Sequence, residues 1–426
     1  MELDHLLRYC IEKGASDLHL KVGTPPYMRL HGELLPLAPN IPQLSREYIE
    51  DLAVKILDER QRHMFEECKE IDIAYAVRGI GRFRVNIFRQ RGSVSMVIRT
   101  ISIDVPSLRQ LGLPEVMKDI ANNERGLILI TGVTGSGKST TMASMISQIN
   151  NTKHKHIITI EDPIEFLLRD NKCIISQREL GVDTTSFSKA LKAAMRQDPD
   201  VILIGEIRDK DTIETALMAA ETGHLVISTL HTKDTKETIN RILSYFPPGS
   251  HTHVRNLLAA NLKAIISLRL AKRKDKAGFV PVSEVLINNS RISDMIMQGS
   301  SAEHFNDAIE ESAITYKMQS FDQNLVELVH SDKITKEEAF RITNNRADFE
   351  LRLKGLNPKG EKEWQEYHKE DGEENTVNRK AHRDEWDNIP DLELDLDSFP
   401  QESEVQEEPT DSKSSGKGFF RGKNKN

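Results

Sequence analysis

Gly132-Val133-Thr134-Gly135-Ser136-Gly137-Lys138-Ser139 decides how the rest of the chain reads. It follows the apolar run Gly126-Leu127-Ile128-Leu129-Ile130 and precedes a stretch of helical spacing. Strand, glycine loop and helix therefore come in the order that a phosphate-binding loop requires. Gly132, Gly135 and Gly137 let backbone N–H groups close around phosphate oxygens, and the helix N-terminus that follows favours their negative charge. Lys138 is expected to reach the β- and γ-phosphates of ATP, and the Ser139 hydroxyl to coordinate Mg²⁺. Thr134, Ser136 and Thr140 complete the expected nucleotide-binding set.

Three more buried-strand runs follow, Ile157-Ile158-Thr159-Ile160, Val201-Ile202-Leu203-Ile204 and Leu225-Val226-Ile227-Ser228, separated by helical stretches. Continuous apolar strands alternating with helices predict a parallel sheet covered on both faces. Ligands of such sheets sit beyond the carboxyl ends of the strands, and two of these ends carry acids. Asp200-Val201-Ile202-Leu203-Ile204-Gly205-Glu206 delivers Glu206, with Gly205 where a strand of this kind usually has aspartate. Glu206 is assigned to Mg²⁺ through water. Thr159-Ile160-Glu161-Asp162-Pro163-Ile164-Glu165 brings further carboxylates, which are costly past a buried strand unless water, cations or metal meet them. ATP hydrolysis needs a group that orients the attacking water; Glu165 is the first candidate base and Glu161 the second.

Gly223-His224-Leu225-Val226-Ile227-Ser228-Thr229-Leu230-His231 brackets a strand with two histidines. Their spacing rules out a zinc pair on one helical turn. His231 is expected to sense the γ-phosphate from the strand's end, with His224 supporting the site. Arg196 and Arg208 flank the catalytic edge in sequence, while Arg84 and Arg99 lie on strands of the N-terminal segment and reach nucleotide only if that segment folds over it. Arginines of oligomeric motors stabilise transition-state charge, often across a subunit boundary.

Residues 1–102 read as a small α+β domain: a short helix, alternating runs such as Asp17-Leu18-His19-Leu20-Lys21-Val22 and Phe83-Arg84-Val85-Asn86-Ile87-Phe88, and helical spacing from Ser45 to Phe65 with Ser45 as N-cap. A linker spans 103–112 and the nucleotide domain 113–356, mostly helical after Pro247-Pro248-Gly249. From Asn357 onward 11 lysines and arginines face 19 acids, so the chain's formal net charge of −8 sits wholly in a segment expected to be a disordered acidic tail. The body before it is neutral, which argues against a basic nucleic-acid surface. Cys10, Cys68 and Cys173 have no CxxC spacing, and no apolar run is long enough to cross a bilayer. These features together predict a cytoplasmic protein.

Taken in order, the phosphate-binding loop, the acidic box at 159–165, the strand ending at Glu206 and the histidine box at 223–231 resemble the secretion ATPase superfamily of type II secretion and type IV pilus motors. Ala15-Ser16-Asp17-Leu18-His19-Leu20 and Gly181-Val182-Asp183-Thr184 extend the likeness, which covers residues 1–356. Within it the chain resembles the pilus retraction ATPases of the PilT and PilU kind. Only one small domain precedes the loop, and Leu270 to Val282 lacks the cysteines of assembly ATPases. Ser290-Arg291-Ile292-Ser293-Asp294-Met295-Ile296 keeps only the arginine and some aliphatics of the PilT-type Ala-Ile-Arg-Asn-Leu-Ile helix, which leans the likeness toward PilU.

That resemblance implies a PAS-like first domain, a RecA-like second domain and a homo-hexameric ring with each nucleotide held between domains. It implies an ATP- and Mg²⁺-dependent motor at the cytoplasmic face of the bacterial inner membrane. The motor would turn a platform protein of the PilC kind, drive retraction and twitching, and bind no nucleic acid. The altered Ser290–Ile296 segment leaves an alternative, an accessory ATP-binding ring supporting a paralogous retraction ATPase.

Overall fold

Arg82-Phe83-Arg84-Val85-Asn86-Ile87 shows why the N-terminal segment is a sheet with one buried face: Phe83, Val85 and Ile87 are fully buried while the arginines and asparagine between them are partly exposed. In this computed structural model, which describes residues 2–355 apart from 31, 39, 40, 103, 276 and 277, that segment is strand β5. The strands β1 (Asp17–Lys21), β2 (Tyr27–Leu30), β3 (Glu33–Pro36), β4 (Glu70–Val77), β5 (Gly81–Gln90) and β6 (Ser93–Thr100) form an antiparallel sheet ordered β3-β2-β1-β6-β5-β4. Helix α1 (Leu3–Glu12) supplies Leu3, Leu6, Leu7 and Cys10 to its core. The single helical stretch expected from Ser45 to Phe65 is two helices, α2 (Arg46–Ile56) and α3 (Glu59–Cys68). Ser45 caps the first as expected, accepting from the N–H of Tyr48 at 3.2 Å. The break has a local cause: Asp58 and Gln61 form a reciprocal capping box that starts a new helix.

The second sheet contains β7 (Gly126–Thr131), β8 (His156–Glu161), β9 (Ile174–Glu179), β10 (Val201–Ile204), β11 (Leu225–Leu230), β12 (Leu262–Lys272) and β13 (Phe279–Ile287) in the order β13-β12-β7-β11-β10-β8-β9. Neighbours pair parallel except β12 with β13. Both faces are apolar. β7 sends Leu127 and Leu129 into one core and Ile128 and Ile130 into the other, all without exposure; each is worth roughly 1.5–3 kcal/mol of burial. The stretch after Pro247, expected to be mostly helical, holds the long pair β12–β13 before returning to helices. The acidic tail expected over 357–426 lies outside the described residues.

The helices that matter to the site are α4 (Leu108–Leu111), α5 (Val116–Ala121), α6 (Lys138–Thr152), α7 (Phe187–Ala194), α8 (Lys210–Glu221) and α9 (Thr235–Ser244). The connector after β6 runs along the second sheet's flank. The N–H of Leu167 donates to the carbonyl of Ser102 at 3.0 Å, and the Ser144 hydroxyl to that of Pro106 at 2.6 Å. Among the described residues no helix is long and apolar enough to cross a membrane.

One buried acid links this core to pH. Glu284 on β13 is 3% exposed, and its Oε1 accepts from the N–H (2.9 Å) and hydroxyl (2.8 Å) of Thr235 at the start of α9. Burial pushes its carboxyl up to about 7, against the hydrogen bonds from Thr235. The folded state thus holds a proton that an unfolded glutamate has released, and stability falls as pH rises from about 4.5 to 7. That window is worth about 3 kcal/mol. Chemical denaturation of Glu284→Gln and the parent at pH 4 and pH 8 should show the parent losing about that much more stability toward pH 8. Equal pH dependence in both chains would refute the assignment.

Candidate nucleotide site

The loop after β7 owes its shape to three glycines at positive φ: Gly132 (142°), Gly135 (77°) and Gly137 (94°). Gly137 stands at the N-cap of α6, so Lys138 begins the helix and Ser139 follows in its first turn. Lys138 is buried. Its Nζ folds back to donate to the carbonyls of Gly132 (2.9 Å) and Val133 (3.1 Å). Burial lowers its pKa, while the negative charges of Glu206 and Glu165 act the other way, so both carboxylates lie within electrostatic reach of the ammonium. The Ser136 hydroxyl is buried with no hydrogen-bond partner among the described residues; a buried polar atom of this kind wants a ligand.

A cleft of about 620 Å³ opens where the carboxyl ends of the parallel strands meet this loop. It brings together Thr134, Gly135, Gly137, Lys138, Ser139, Thr140, Glu161, Glu165, Glu206, Arg208 and His231. Gly132 and Ser136 lie in the packed turn beneath it. Asp162, Phe166, Phe187 and Thr229 also line the walls.

Glu206 is the centre of the polar network. Its carboxylate is paired with the Arg208 guanidinium, and His231 Nε2 stands 3.4 Å from Glu206 Oε2. Arg208 reaches across to Asp162 Oδ2 at 3.1 Å as well. Glu161, half-buried, accepts on Oε1 from the Thr159 hydroxyl (2.7 Å) and from Gln177 Nε2 (3.1 Å). Burial pushes its carboxyl above the usual range, and these hydrogen bonds oppose the shift. Glu165 is exposed in the cleft. The glycine at 205 has a steric reason: a Cβ there would stand 3.3 Å from both Glu161 Cα and the Ile160 carbonyl oxygen. A side chain there would need the end of β8 to give by a few tenths of an ångström.

Four expected site residues stand elsewhere in this chain. His224 is at the amino end of β11, its Nδ1 2.9 Å from the Ala219 carbonyl oxygen at the end of α8. Seven residues of extended strand cover about 23 Å, so His224 and His231 occupy opposite edges of the sheet. Arg196 is exposed just past α7, before β10 begins, and so lies on the edge away from the cleft. Arg84 pairs with Asp72 at 3.4 Å, and Arg99 with buried Asp17 at 2.8 Å, both within the first sheet. Neither lines the cleft. Asp162 was given no role of its own, and Gln177 was not expected. Asp162 sits inside the acidic box, where its sequence neighbourhood could have marked it; Gln177 belongs to no motif, and only the β8–β9 pairing reveals it.

The Type II/IV secretion system protein family matches residues 3–367. Among curated proteins, the type IV pilus ATPase PilU of Pseudomonas aeruginosa is 41% identical over 83% of this chain and 92% of its own length. The type IV pilus retraction ATPase PilT of the same organism is 43% identical over 80% of this chain and 97% of its own. A crystal structure of the pilus retraction motor PilT with bound ADP superposes with a TM-score of 0.75, at 41% identity, covering 82% of this chain and 98% of that one.

Proposed function

Because the chain belongs to the Type II/IV secretion system protein family, alongside PilU and PilT, we propose that it is a motor ATPase that powers type IV pilus retraction. The observation that carries this reading is the convergence of Lys138, Ser139, Glu161, Glu165 and Glu206 on one cleft at the carboxyl edge of a parallel sheet. In it the loop N–H groups and Lys138 hold the phosphates of ATP. Glu165 or Glu161 orients the attacking water, and His231 reads the γ-phosphate through its contact with Glu206. Ser139, with Glu206 through water, would hold Mg²⁺, which would supply charge opposite the phosphate oxygens.

Among the described residues Arg208 is the one arginine lining the cleft, while Arg84, Arg99 and Arg196 stand outside it. This supports a homo-hexameric ring in which a neighbour's PAS-like domain, residues 1–102, completes each site on a RecA-like domain, residues 113–356, with 103–112 as linker. Such a ring works at the cytoplasmic face of the inner membrane against a platform protein of the PilC kind.

Two measurements test the reading. Purified protein should release phosphate from ATP in the presence of Mg²⁺, and cells lacking the gene should lose twitching that the intact gene restores. A chain that binds no nucleotide, or a deletion strain that twitches normally under load and at rest, would overturn it. Loss confined to loaded pili would identify a ring that supports a paralogous motor.

A further inference from the structure

Gln177 sits midway along the edge strand β9, opposite Thr159 of β8. Both ends of its side-chain amide are engaged. Oε1 accepts from the N–H of Leu168 at 2.8 Å, while Nε2 donates to the carbonyl of Phe166 at 3.0 Å and to Glu161 Oε1 at 3.1 Å. One amide therefore grips two points of the loop leaving the acidic box and one carboxylate in the cleft.

The residue between those two points, Leu167, donates its N–H to Ser102 on the connector from the N-terminal sheet, at 3.0 Å. Two residues beyond Gln177 on β9, Glu179 is held by Arg82 of β5, also at 3.0 Å. The edge strand and its loop are thus gripped once by the connector and once by the first sheet, and hold the cleft at a third place. Only a neutral amide meets these demands, because the loop offers one donor and one acceptor while Glu161 needs a donor.

We propose that Gln177 is a positioning residue for Glu161, and that through it the connector at Ser102 sets where the Glu161 carboxylate stands in the nucleotide cleft. A shift of the connector moves Leu167, the loop shifts the Gln177 amide, and the amide carries Glu161 with it. Nucleotide chemistry and the attitude of the N-terminal sheet are linked by a short run of hydrogen bonds. This inference rests on the reading of the cleft as a hydrolytic site.

The test uses the full chain with Gln177→Met, which keeps the volume and removes all three bonds, and Gln177→Glu, which keeps the acceptor for Leu168 but turns a charge on Glu161. Misplacing a reacting group by about 1 Å can cost roughly 10²-fold, so kcat should fall at least about 10-fold in both variants. KM for ATP and the Kd for ADP should stay within about threefold of the parent, because the phosphate-binding loop is untouched. A kcat within about twofold of the parent in both variants would overturn the proposal. So would a loss of ADP affinity in step with kcat, which marks general damage to the fold. A parent chain that hydrolyses no ATP would instead sink the functional reading on which the proposal stands.

Discussion

Lys138→Ala is expected to lower kcat/KM for ATP by at least about 10²-fold while leaving the fold intact. The structure gives reasons for both halves. Lys138 places an ammonium at the floor of the cleft, where it is buried and held by two loop carbonyls. Charge in a water-poor site acts far more strongly on a phosphate than the same charge at the surface. Burial lowers the Lys138 pKa, and Glu206 and Glu165 favour the charged form against that. Truncation removes the one lysine that lines the cleft among the described residues and leaves the two carboxylates facing the phosphates unopposed from that side. Alanine suits the first turn of α6, being the best helix former. The melting temperature should therefore change little, and loss of a desolvated charge offsets the lost hydrogen bonds. Steady-state phosphate release and a thermal melt on the same preparation check both halves. Retention of activity within tenfold of the parent would mean that the triphosphate binds elsewhere.

The strand–loop–helix around Lys138 was legible because its signals are local: apolar residues in an unbroken run and glycines at fixed offsets. Glu161, Glu165, Glu206 and His231 were legible for a geometric reason. A parallel sheet gathers the carboxyl ends of its strands along one edge, so residues far apart in sequence become neighbours there. The same rule puts His224 and Arg196, which precede β11 and β10, at the amino edge, away from this chain's own cleft. Leu262-Lys263-Ala264-Ile265-Ile266-Ser267-Leu268 was missed as a strand because an apolar run of this length suits a buried helix equally well. β9 was missed for the opposite reason. Ile174-Ile175-Ser176-Gln177-Arg178-Glu179 is polar along most of its length, as an edge strand half in solvent is allowed to be. Its Gln177 could not be found without the pairing to β8.

Gly132→Ala should damage both stability and catalysis, although it adds a single methyl group. A Cβ at this position would stand 2.4 Å from the Ser136 hydroxyl oxygen and 2.5 Å from the Leu268 carbonyl oxygen, at a φ of 142° that side chains with a Cβ rarely adopt. The serine could rotate away. Leu268 cannot, because its carbonyl belongs to the backbone of β12, fixed between β7 and β13. Forced backbone at such a position costs about 1–3 kcal/mol, and the overpacking adds about 1–3 kcal/mol more. The loop can relieve the clash only by lifting away from β12, and that carries the Gly132 and Val133 carbonyls off the Lys138 ammonium. Nucleotide affinity should then fall along with stability, unlike the Lys138 variant, in which stability is kept. Gly135→Ala provides the comparison, since nothing lies within 4 Å of a Cβ there; it carries only the backbone strain of its positive φ. Thermal melts and ADP titrations of the two alanine variants separate the effects. The second change Ser136→Gly should recover only part of the Gly132→Ala loss, because the Leu268 carbonyl remains in the way. Full recovery in the double variant, or a Gly132→Ala chain as stable as Gly135→Ala, would show that the loop does not rest on β12 as described.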